Sequence, residues 1–337
     1  MNKAGLDPPD GDVNTTTRAV NLDHSVRRRL TAFGVLMLVA CSSLVRPPAA
    51  LAHPPGGFGV QCLLSHVAKD DPIVHPGHHG MSHRHAFYGN TSTDADSTRQ
   101  SLMRARTTCT DAKPPKDLAA TWLPTALFHK DGRWRPATPW RERTYYFPSV
   151  RDNLGETADL PANIRLIGGN RDARSWRQNP AVSWFCGDGS PIRPFPYDCG
   201  PYTLPNEDGV RAIIAMPYCW DGDRLSTGLD MSHVVYGDPD DRSPHTEPAP
   251  CPATHPFNIP SVSVRAHFSI KDPCAGLPCA PRLQGKNVQL KLSSGPWWTM
   301  HADFWNTWVQ SKLDSLTERC LRGHIECGIL GEVERDL

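Results

Sequence analysis

The chain has 337 residues, and 36 lysines and arginines balance 35 aspartates and glutamates to a formal net charge of +1. The charges of both signs are interspersed without a basic stripe, which argues against nucleic acid as a partner. The 33 prolines and 26 glycines are spread along the whole chain and exclude a design built on long helices.

The first predicted element is an export leader. The basic triplet Arg27–Arg29 precedes the apolar run Leu30–Ala40, and this order is typical of a secretory signal. The apolar run is too short to cross a bilayer, which takes about 20 residues. The arginines leave a twin-arginine export route open. We expect residues 1–52 to be a leader and residues 53–337 to form one globular domain.

Two processing sites compete within this leader. The sequence Leu38-Val39-Ala40-Cys41 resembles a bacterial lipobox, and cleavage there would leave a lipid on Cys41 as the domain's membrane contact. Ala50-Leu51-Ala52 is a small-x-small site that would leave His53 as the first residue. A free His53 amino group and its ring could chelate copper. The lipobox is slightly favoured.

Cysteine usage also indicates export. The chain has 11 cysteines, and without Cys41 an even set of ten remains, which is typical of a disulfide framework in an exported protein. No CxxC pair is present, which argues against zinc fingers. Pairing cysteines that are neighbours in sequence predicts five bridges, each contributing about 2–4 kcal/mol. They are Cys62–Cys109, Cys186–Cys199, Cys219–Cys251, Cys274–Cys279 and Cys320–Cys327.

Short strands are predicted along the mature chain. The clearest is Ser261–Ile270, in which apolar and polar residues alternate over ten positions. The other candidate strands are Gly57–Cys62, Thr121–Phe128, Arg143–Pro148, Ala162–Ile167, Val210–Met216 and Val288–Leu292.

Two helices are predicted. Ser97 and Gln100 have the spacing of a capping box, which indicates a short helix over Ser97–Ala105. Near the end, apolar residues at helical spacing predict a helix that starts near Phe304. These residues are Trp305, Val309, Leu313, Leu316 and Cys320. The chain is therefore expected to be mainly β, a disulfide-braced sandwich or jelly roll with one C-terminal helix and long Pro/Gly-rich loops.

Several blocks of sequence are similar to those of a known family. They are residues 71–77 (DPIVHPG), 82–90 (SHRHAFYGN), 107–109 (TTC), 184–186 (WFC), 219–222 (CWDG), 232–236 (SHVVY), 251–256 (CPATHP) and 301–304 (HADF). On these blocks the chain, over about residues 57–327, resembles the exported fungal and actinobacterial family catalogued as domain of unknown function nineteen ninety-six. The resemblance implies an exported domain with no established activity. Fungal members are often fused to modules that bind cell-wall sugars, which implies a carbohydrate context by association.

His83 and His85 are the strongest chemical signal. Residues two apart on a strand project from the same face, so both imidazoles could ligate one divalent transition metal. His301 is the expected third ligand of an open site. The neighbouring His75, His78 and His79 are expected to be peripheral, because a polar histidine-rich loop can bind metal weakly without function.

Three further residues complete the predicted catalytic set. Asp303 lies two residues after His301 and just ahead of the expected helix, where a carboxylate suits the helix dipole. Asp221 and His233 are also candidates. We expect all six side chains to meet in one cleft. Without a metal, a histidine and an aspartate could still act as general base and orienting acid. The plainer alternative is that these residues only hydrogen-bond the backbone of Pro/Gly-rich loops.

Aromatic residues near these blocks suggest a sugar-binding surface. Tyr88, Trp220 and Trp297 could stack on sugar rings, although large aromatics more often fill cores. Trp297 follows Gly295-Pro296 in a loop and is the candidate expected to be most exposed, whereas Trp184 and Trp305 are assigned to packing. The chain has no GxSxG, Walker or HExxH motif, which argues against the common serine hydrolases, nucleotide enzymes and zincins.

Three functions follow from the sequence. The first is an enzyme that acts on extracellular polysaccharide by hydrolysis or elimination. The second is a non-catalytic surface module that binds cell-wall glycan. The third is a purely structural exported protein. Convergence of the six polar side chains favours the first function, and an exposed aromatic strip without nearby acids favours the second.

Overall fold

The computed structural model describes residues 56–130, 133–149, 157–186, 210–238, 249–269 and 289–331. These parts are mainly β, which confirms the predicted fold class. The strands are β1 (Gly57–Ala68), β2 (His85–Gly89), β3 (Ala120–Pro124), β4 (Ala126–Lys130), β5 (Arg133–Phe147), β6 (Arg165–Gly169), β7 (Val182–Cys186), β8 (Val210–Ala215), β9 (Cys219–Trp220), β10 (Val234–Val235), β11 (Phe257–Asn258), β12 (Ser261–Ser269), β13 (Gln289–Leu292), β14 (Gly295–Pro296), β15 (His301–Trp305) and β16 (Glu326–Leu330). The predicted leader arginines, Cys41 and His53 lie outside the described residues.

Two sheets share the long strand β1. Its first half pairs with β5, and its second half pairs with β2. The first sheet has the order β16-β1-β5-β12-β8-β7, and the second sheet has the order β1-β2-β3-β15-β6. At the far side, Gly168 of β6 lies so close to β8 that a Cβ would collide with the carbonyl oxygen of Ala215. The sheets therefore form a nearly closed, sandwich-like arrangement.

Two smaller groups of strands complete the β structure. The strands β14-β13-β4 extend from the first half of β5. The short strands β10-β9-β11 form a separate three-stranded sheet.

The two faces of the second sheet bury different residues, because side chains alternate along each strand. One face, which includes Tyr88 and Phe304, packs into the main core between the sheets. The other face carries Phe87, Trp122 and Trp305, and we call it the outer face. The outer face is covered by residues that include Ile73 and Leu102. Polar side chains on the outer face are therefore separated from the main core.

Several predicted strands have different bounds in the structure. The predicted strand Thr121–Phe128 is two strands, β3 and β4, because the chain leaves the second sheet after Pro124. The strand predicted at Ala162 begins at Arg165, because Asn163 has a left-handed backbone with φ 71°. The strand predicted at Gly57–Cys62 continues to Ala68 as it crosses from one sheet to the other.

The first helix, α1 (Arg99–Leu102), differs from its prediction in its cap. Its N-cap is Thr98, whose side chain accepts a hydrogen bond from the Ser101 backbone N–H. Ser97 instead donates a hydrogen bond from its hydroxyl to the Asp94 carboxylate. The expected Ser97/Gln100 capping box is therefore wrong by one residue.

The C-terminal helix starts later than predicted. Phe304 and Trp305 belong to β15, where they pair with β3 and β6. Helix α2 covers Gln310–Leu316 and continues into a π-helical turn over Thr317–Arg322. The apolar residues of this segment are buried as predicted. Across the described ranges, no helix is both long and apolar enough to cross a membrane.

Three of the five predicted disulfides are present: Cys62–Cys109, Cys219–Cys251 and Cys320–Cys327. The other two predicted pairs involve Cys199, Cys274 and Cys279, which lie outside the described residues. The bridge Cys62–Cys109 joins the middle of β1 to the segment that follows α1.

Candidate metal site

Strand register brings two of the predicted histidines together. His85 pairs with Pro124 on one side of β3. On the other side of β3, Asp303 pairs with Trp122, and continuing this register by two residues places His301 level with Pro124. His85 and His301 therefore flank the same residue, and both project from the outer face of the second sheet.

His83 completes a cluster of three histidines. It lies just before β2 and is half-buried, whereas His85 and His301 are almost fully buried. The ring centroids of His83 and His85 are 4.2 Å apart, and those of His83 and His301 are 4.9 Å apart. The centroids of His85 and His301 are separated by 5.8 Å. The predicted convergence of these three side chains is present in the structure.

Hydrogen bonds to the backbone orient two of these rings. His85 Nδ1 lies 3.0 Å from the carbonyl oxygen of Asp70, and His301 Nδ1 lies 2.9 Å from that of Thr299. Because a carbonyl oxygen only accepts, each Nδ1 must carry the proton and each Nε2 must hold a lone pair. The Nε2 atoms of His83, His85 and His301 are buried and have no hydrogen-bond partner within the described part of the chain. Metal-ligating histidines are typically oriented in this way.

The spacing of these donors suits one ion. One ring nitrogen from each of His83, His85 and His301 lies within 4.8 Å of the others. In a tetrahedral site with bonds of about 2.0 Å, neighbouring nitrogens are roughly 3.4 Å apart, so a modest inward movement of the side chains would enclose an ion. Imidazole nitrogens favour zinc, copper, iron or nickel over calcium and magnesium.

Two buried carboxylates adjoin the histidines. Asp71, His85 and Asp303 each offer one ligand atom within 4.8 Å of the others. Asp303 Oδ2 is 4.0 Å from His301 Nε2 and has no hydrogen-bond partner in the described ranges. Asp71 Oδ1 accepts hydrogen bonds of 3.0 Å from the backbone N–H groups of Ile73 and Val74. A metal bound to the histidines would therefore lie close to the carboxylate oxygens of Asp71 and Asp303.

Two expectations about these carboxylates change. Asp303 lies inside strand β15 rather than ahead of a helix, so the expected interaction with a helix dipole is wrong. Asp71 was not among the predicted site residues. The one feature of the sequence that pointed to Asp71 is its position at the start of the first family-like block. It lies 14 positions before His85, and no strand or helix periodicity relates residues that far apart.

Burial sets the protonation of the cluster. It lowers the pKa of His83 to about 4, with the positive charges of Arg171 and His75 adding to the effect. Burial also lowers the pKa of His301 to about 3. The imidazoles are therefore neutral at pH 7, which is the form that ligates metals. Burial raises the pKa of Asp303 well above its ordinary value, and the nearby Asp71 adds to this rise. A bound cation would relieve this unfavourable burial of acidic groups.

Asp221 and His233 lie elsewhere. His233 Nε2 bonds to the carbonyl oxygen of Arg165 at 2.8 Å. Arg165 is the first residue of β6, and Gly169, which pairs with His301, is the last. The four positions between them correspond to about 13 Å along a strand. Asp221 Oδ2 accepts a hydrogen bond of 2.7 Å from Arg224 Nε. The expectation that all six residues share one cleft is therefore wrong for these two, which tie together loops around the small sheet.

The three predicted aromatic contacts also separate. Tyr88 is fully buried in the main core, on the opposite face of the second sheet from the histidines. The expectation that it contacts substrate is wrong, because adjacent strand residues face opposite sides. Trp220 donates from Nε1 to the carbonyl oxygen of Arg224 at 2.6 Å and packs against Phe257, in the small sheet. Of the three aromatic residues, Trp297 is only four positions before His301 in the chain.

Trp297 lines a groove of about 680 Å³ together with Trp134 and Trp298. The Trp134 side chain is 40% exposed, and Lys291 Nζ lies 4.2 Å from the centroid of its ring. The groove adjoins the histidine cluster through the backbone, because Ser293 on its wall donates a hydrogen bond to the carbonyl oxygen of Arg84. Arg84 lies between His83, which precedes β2, and His85, which is the first residue of β2.

Comparison with known families accounts for most of this chain. The family described as Domain of unknown function (DUF1996) matches residues 71–308. The chain belongs to the DUF1996 family. The DUF1996 match contains all five residues of the cluster, Asp71, His83, His85, His301 and Asp303. No curated protein and no solved structure matches the chain significantly.

Proposed function

We propose that this protein is an exported, metal-dependent enzyme that acts on extracellular or cell-wall polysaccharide by hydrolysis or elimination. Its metal would be a divalent transition ion held by His83, His85 and His301. The observation that carries this proposal is that one ring nitrogen from each histidine lies within 4.8 Å of the others, and that the buried Nε2 atom of each finds no hydrogen-bond partner among the described residues. An unpaired buried nitrogen costs free energy, and one metal ion would satisfy all three.

The chemistry follows from an open coordination site. Three protein ligands leave positions for water or substrate, and a bound divalent ion acts as a Lewis acid and acidifies a bound water. Asp303 lies beside the ligands and is suited to accept a proton from that water or from the substrate. Burial raises the pKa of Asp303, and the positive charge of a bound metal would lower that pKa again.

The substrate class rests on the groove. Apolar faces of sugar rings stack on exposed aromatic rings, and Trp134 presents such a ring 40% exposed. The volume of the groove, about 680 Å³, falls within the range typical of ligand-binding sites. It also adjoins the histidine cluster at Arg84, so that a glycan lying in it would approach the metal.

Export is part of the same proposal. The three described disulfides are compatible with an oxidising compartment outside the cytoplasm. The predicted leader at residues 1–52 supports the same location. Anchoring by a lipid on Cys41 and release with His53 at the new N-terminus remain the two alternatives for the mature protein.

The test uses a histidine ligand and a matched surface histidine. His83 is half-buried, so His83→Ala is less disruptive than a change at His301, and the exposed His78 provides the control variant His78→Ala. We expect about one zinc or copper ion per purified wild-type chain and per His78→Ala chain, and a large loss in His83→Ala, measured by elemental mass spectrometry.

Turnover is then screened on a panel of extracellular glycans with metal-loaded protein. New reducing ends report both reactions, whereas only elimination creates a conjugated double bond that absorbs in the ultraviolet. Activity that disappears in His83→Ala and persists in His78→Ala supports the proposal. Equal metal content in the wild type and His83→Ala, or binding of glycans without any product, would overturn it.

The groove also favours a second candidate function, a non-catalytic module that binds cell-wall glycan. In that case Trp134→Ala abolishes glycan binding, His83→Ala leaves binding unchanged, and no glycan yields a product. The enzyme proposal instead expects both variants to reduce turnover, Trp134→Ala through a higher KM and His83→Ala through a lower kcat.

A further inference from the structure

Arg171 is a cation held beside the histidine cluster. It lies two residues beyond Gly169, which pairs with His301 in the second sheet. The approach is close, since a Cβ on Gly169 would lie 2.6 Å from the carbonyl oxygen of Met300. The far end of the same loop is fastened by Asn179, whose Nδ2 donates to that carbonyl at 2.7 Å. Both ends of the loop are therefore anchored next to His301.

One donor of Arg171 is unused. Its Nη1 atom is buried and has no hydrogen-bond partner among the residues that the structure describes. In the part of the chain that the structure describes, Arg171 forms no ion pair with a carboxylate. Arg171 is half-buried as a residue, and a buried guanidinium nitrogen without an acceptor is costly. The planar N–H groups of the guanidinium match carboxylates and other oxyanions closely. The unused donor marks a place for an anion that does not come from the described protein.

The charges of the site lead to the same expectation. Arg171 places a positive charge beside Asp71 and Asp303, where it opposes the rise in pKa that burial causes in both carboxyl groups. It is also near enough to lower the pKa of His83, after the larger effect of burial. A divalent ion on the histidines would add further positive charge, and a site of this kind favours a ligand that carries negative charge.

We propose that Arg171 forms a subsite for a singly charged oxyanion of the substrate, so that the polysaccharide is acidic. The oxyanion is the carboxylate of a uronic acid or the sulfate ester of a sulfated sugar, which share the charge and the acceptor oxygens that the guanidinium requires. This inference rests on the proposed function and narrows its substrate class.

The test compares polymers that differ only in charge. Polygalacturonate is paired with its methyl ester, and dextran sulfate with dextran, using zinc-loaded full-length protein at physiological salt and titration calorimetry. We expect the acidic member of one pair to bind at least about tenfold more tightly than its neutral partner. The pair that shows the preference identifies the source of the oxyanion.

Two variants isolate the guanidinium. Arg171→Gln should remove most of the preference and leave the zinc content unchanged, because Arg171 is not a ligand. Arg174→Gln changes an exposed arginine of the same loop and should keep the preference. Equal binding of the charged and neutral polymers by the wild type, no binding of either, or a preference that survives in Arg171→Gln would overturn the inference.

The outcomes distinguish this inference from the proposed function. If zinc binds and neutral glycans are turned over as fast as acidic ones, the enzyme proposal stands and the anion subsite is wrong. If the histidines bind no metal, the enzyme proposal fails first. A preference for acidic polymers that requires Arg171 would then still establish the subsite in a non-catalytic protein.

Discussion

Glu142 is a buried acid in the middle of the first sheet, and replacing it with glutamine should change how stability depends on pH. Its side chain is fully buried. Oε1 accepts a hydrogen bond from the Thr144 hydroxyl, and Oε2 has no partner in the part of the chain that is described. Burial raises its pKa from 4.5 to about 8, partly offset by the Thr144 hydrogen bond and reinforced by Asp117.

The sign follows from proton binding. Between pH 4.5 and about 8 the folded protein keeps the Glu142 proton, whereas the unfolded chain has released it. The folded state therefore binds more protons, and the free energy of unfolding falls as the pH rises, by about 1.4 kcal/mol per pH unit. Between pH 5 and 8 this one group costs on the order of 3 kcal/mol. Glutamine cannot ionise, so Glu142→Gln should remove this dependence.

Urea unfolding at pH 5, 6, 7 and 8 measures the effect. The difference in unfolding free energy between Glu142→Gln and the wild type should move in favour of the variant by roughly 3 kcal/mol across this range. Glu326→Gln makes the same chemical change at an exposed carboxylate and should show no comparable trend. The variant should retain some decline, because burial also raises the pKa of Asp117 to about 8. Parallel curves for Glu142→Gln and the wild type would refute the reasoning.

Three further outcomes are expected. Zinc at one hundred times its Kd should stabilise the wild type by about 2.7 kcal/mol; thermal unfolding with and without a chelator should show this gain, and His83→Ala should lack it. Gly168→Ala should lower the unfolding free energy by about 1–3 kcal/mol, because the nearest atom that the new methyl group meets is the backbone carbonyl oxygen of Ala215, with the Met216 sulfur next; an unchanged urea midpoint would contradict the close approach of the two sheets. The two ring nitrogens of His79 each lie 3.0 Å from a carboxylate oxygen, one of Asp70 and one of Asp96. The hydrogen bond with Asp96 contributes most to raising the pKa of His79 to about 9, and the hydrogen bond with Asp70 adds to it. The stability this group contributes should be complete below pH 6.5 and lost as the pH rises through about 9, and NMR titration of the ring should show a pKa that falls in Asp96→Asn.

The elements predicted correctly from sequence are those with a local cause. Alternation over Ser261–Ile270 predicted the strand β12, and the spacing of Leu313, Leu316 and Cys320 predicted the buried face of the last helix. The histidines at 83 and 85 were found because residues two apart share a face of an extended chain. Each of these signals lies within a few residues.

Most of the wrong predictions have long-range causes. The start of the C-terminal helix was placed too early because Phe304 and Trp305 satisfy helical spacing as well as they satisfy the pairing of β15. Tyr88 was placed near the histidines because it follows them in sequence, but strand alternation turns it into the main core. Asp221 and His233 were grouped with the site by residue type alone. The partner of His233, Arg165, is 68 residues away and has no local signal, whereas the partner of Asp221, Arg224, is only three residues away.

From the sequence alone came the β-rich class, three of the neighbouring disulfide pairs and the identity of three metal-binding candidates. Only the tertiary structure decided that His85 and His301, more than two hundred residues apart, flank the same residue of β3, that Asp71 and Arg171 stand beside them, and that Asp221 does not. The physical reason is that periodicity and capping act over one or two turns of chain, whereas a site of this kind is assembled by strand register, which depends on how distant segments bury their apolar faces together.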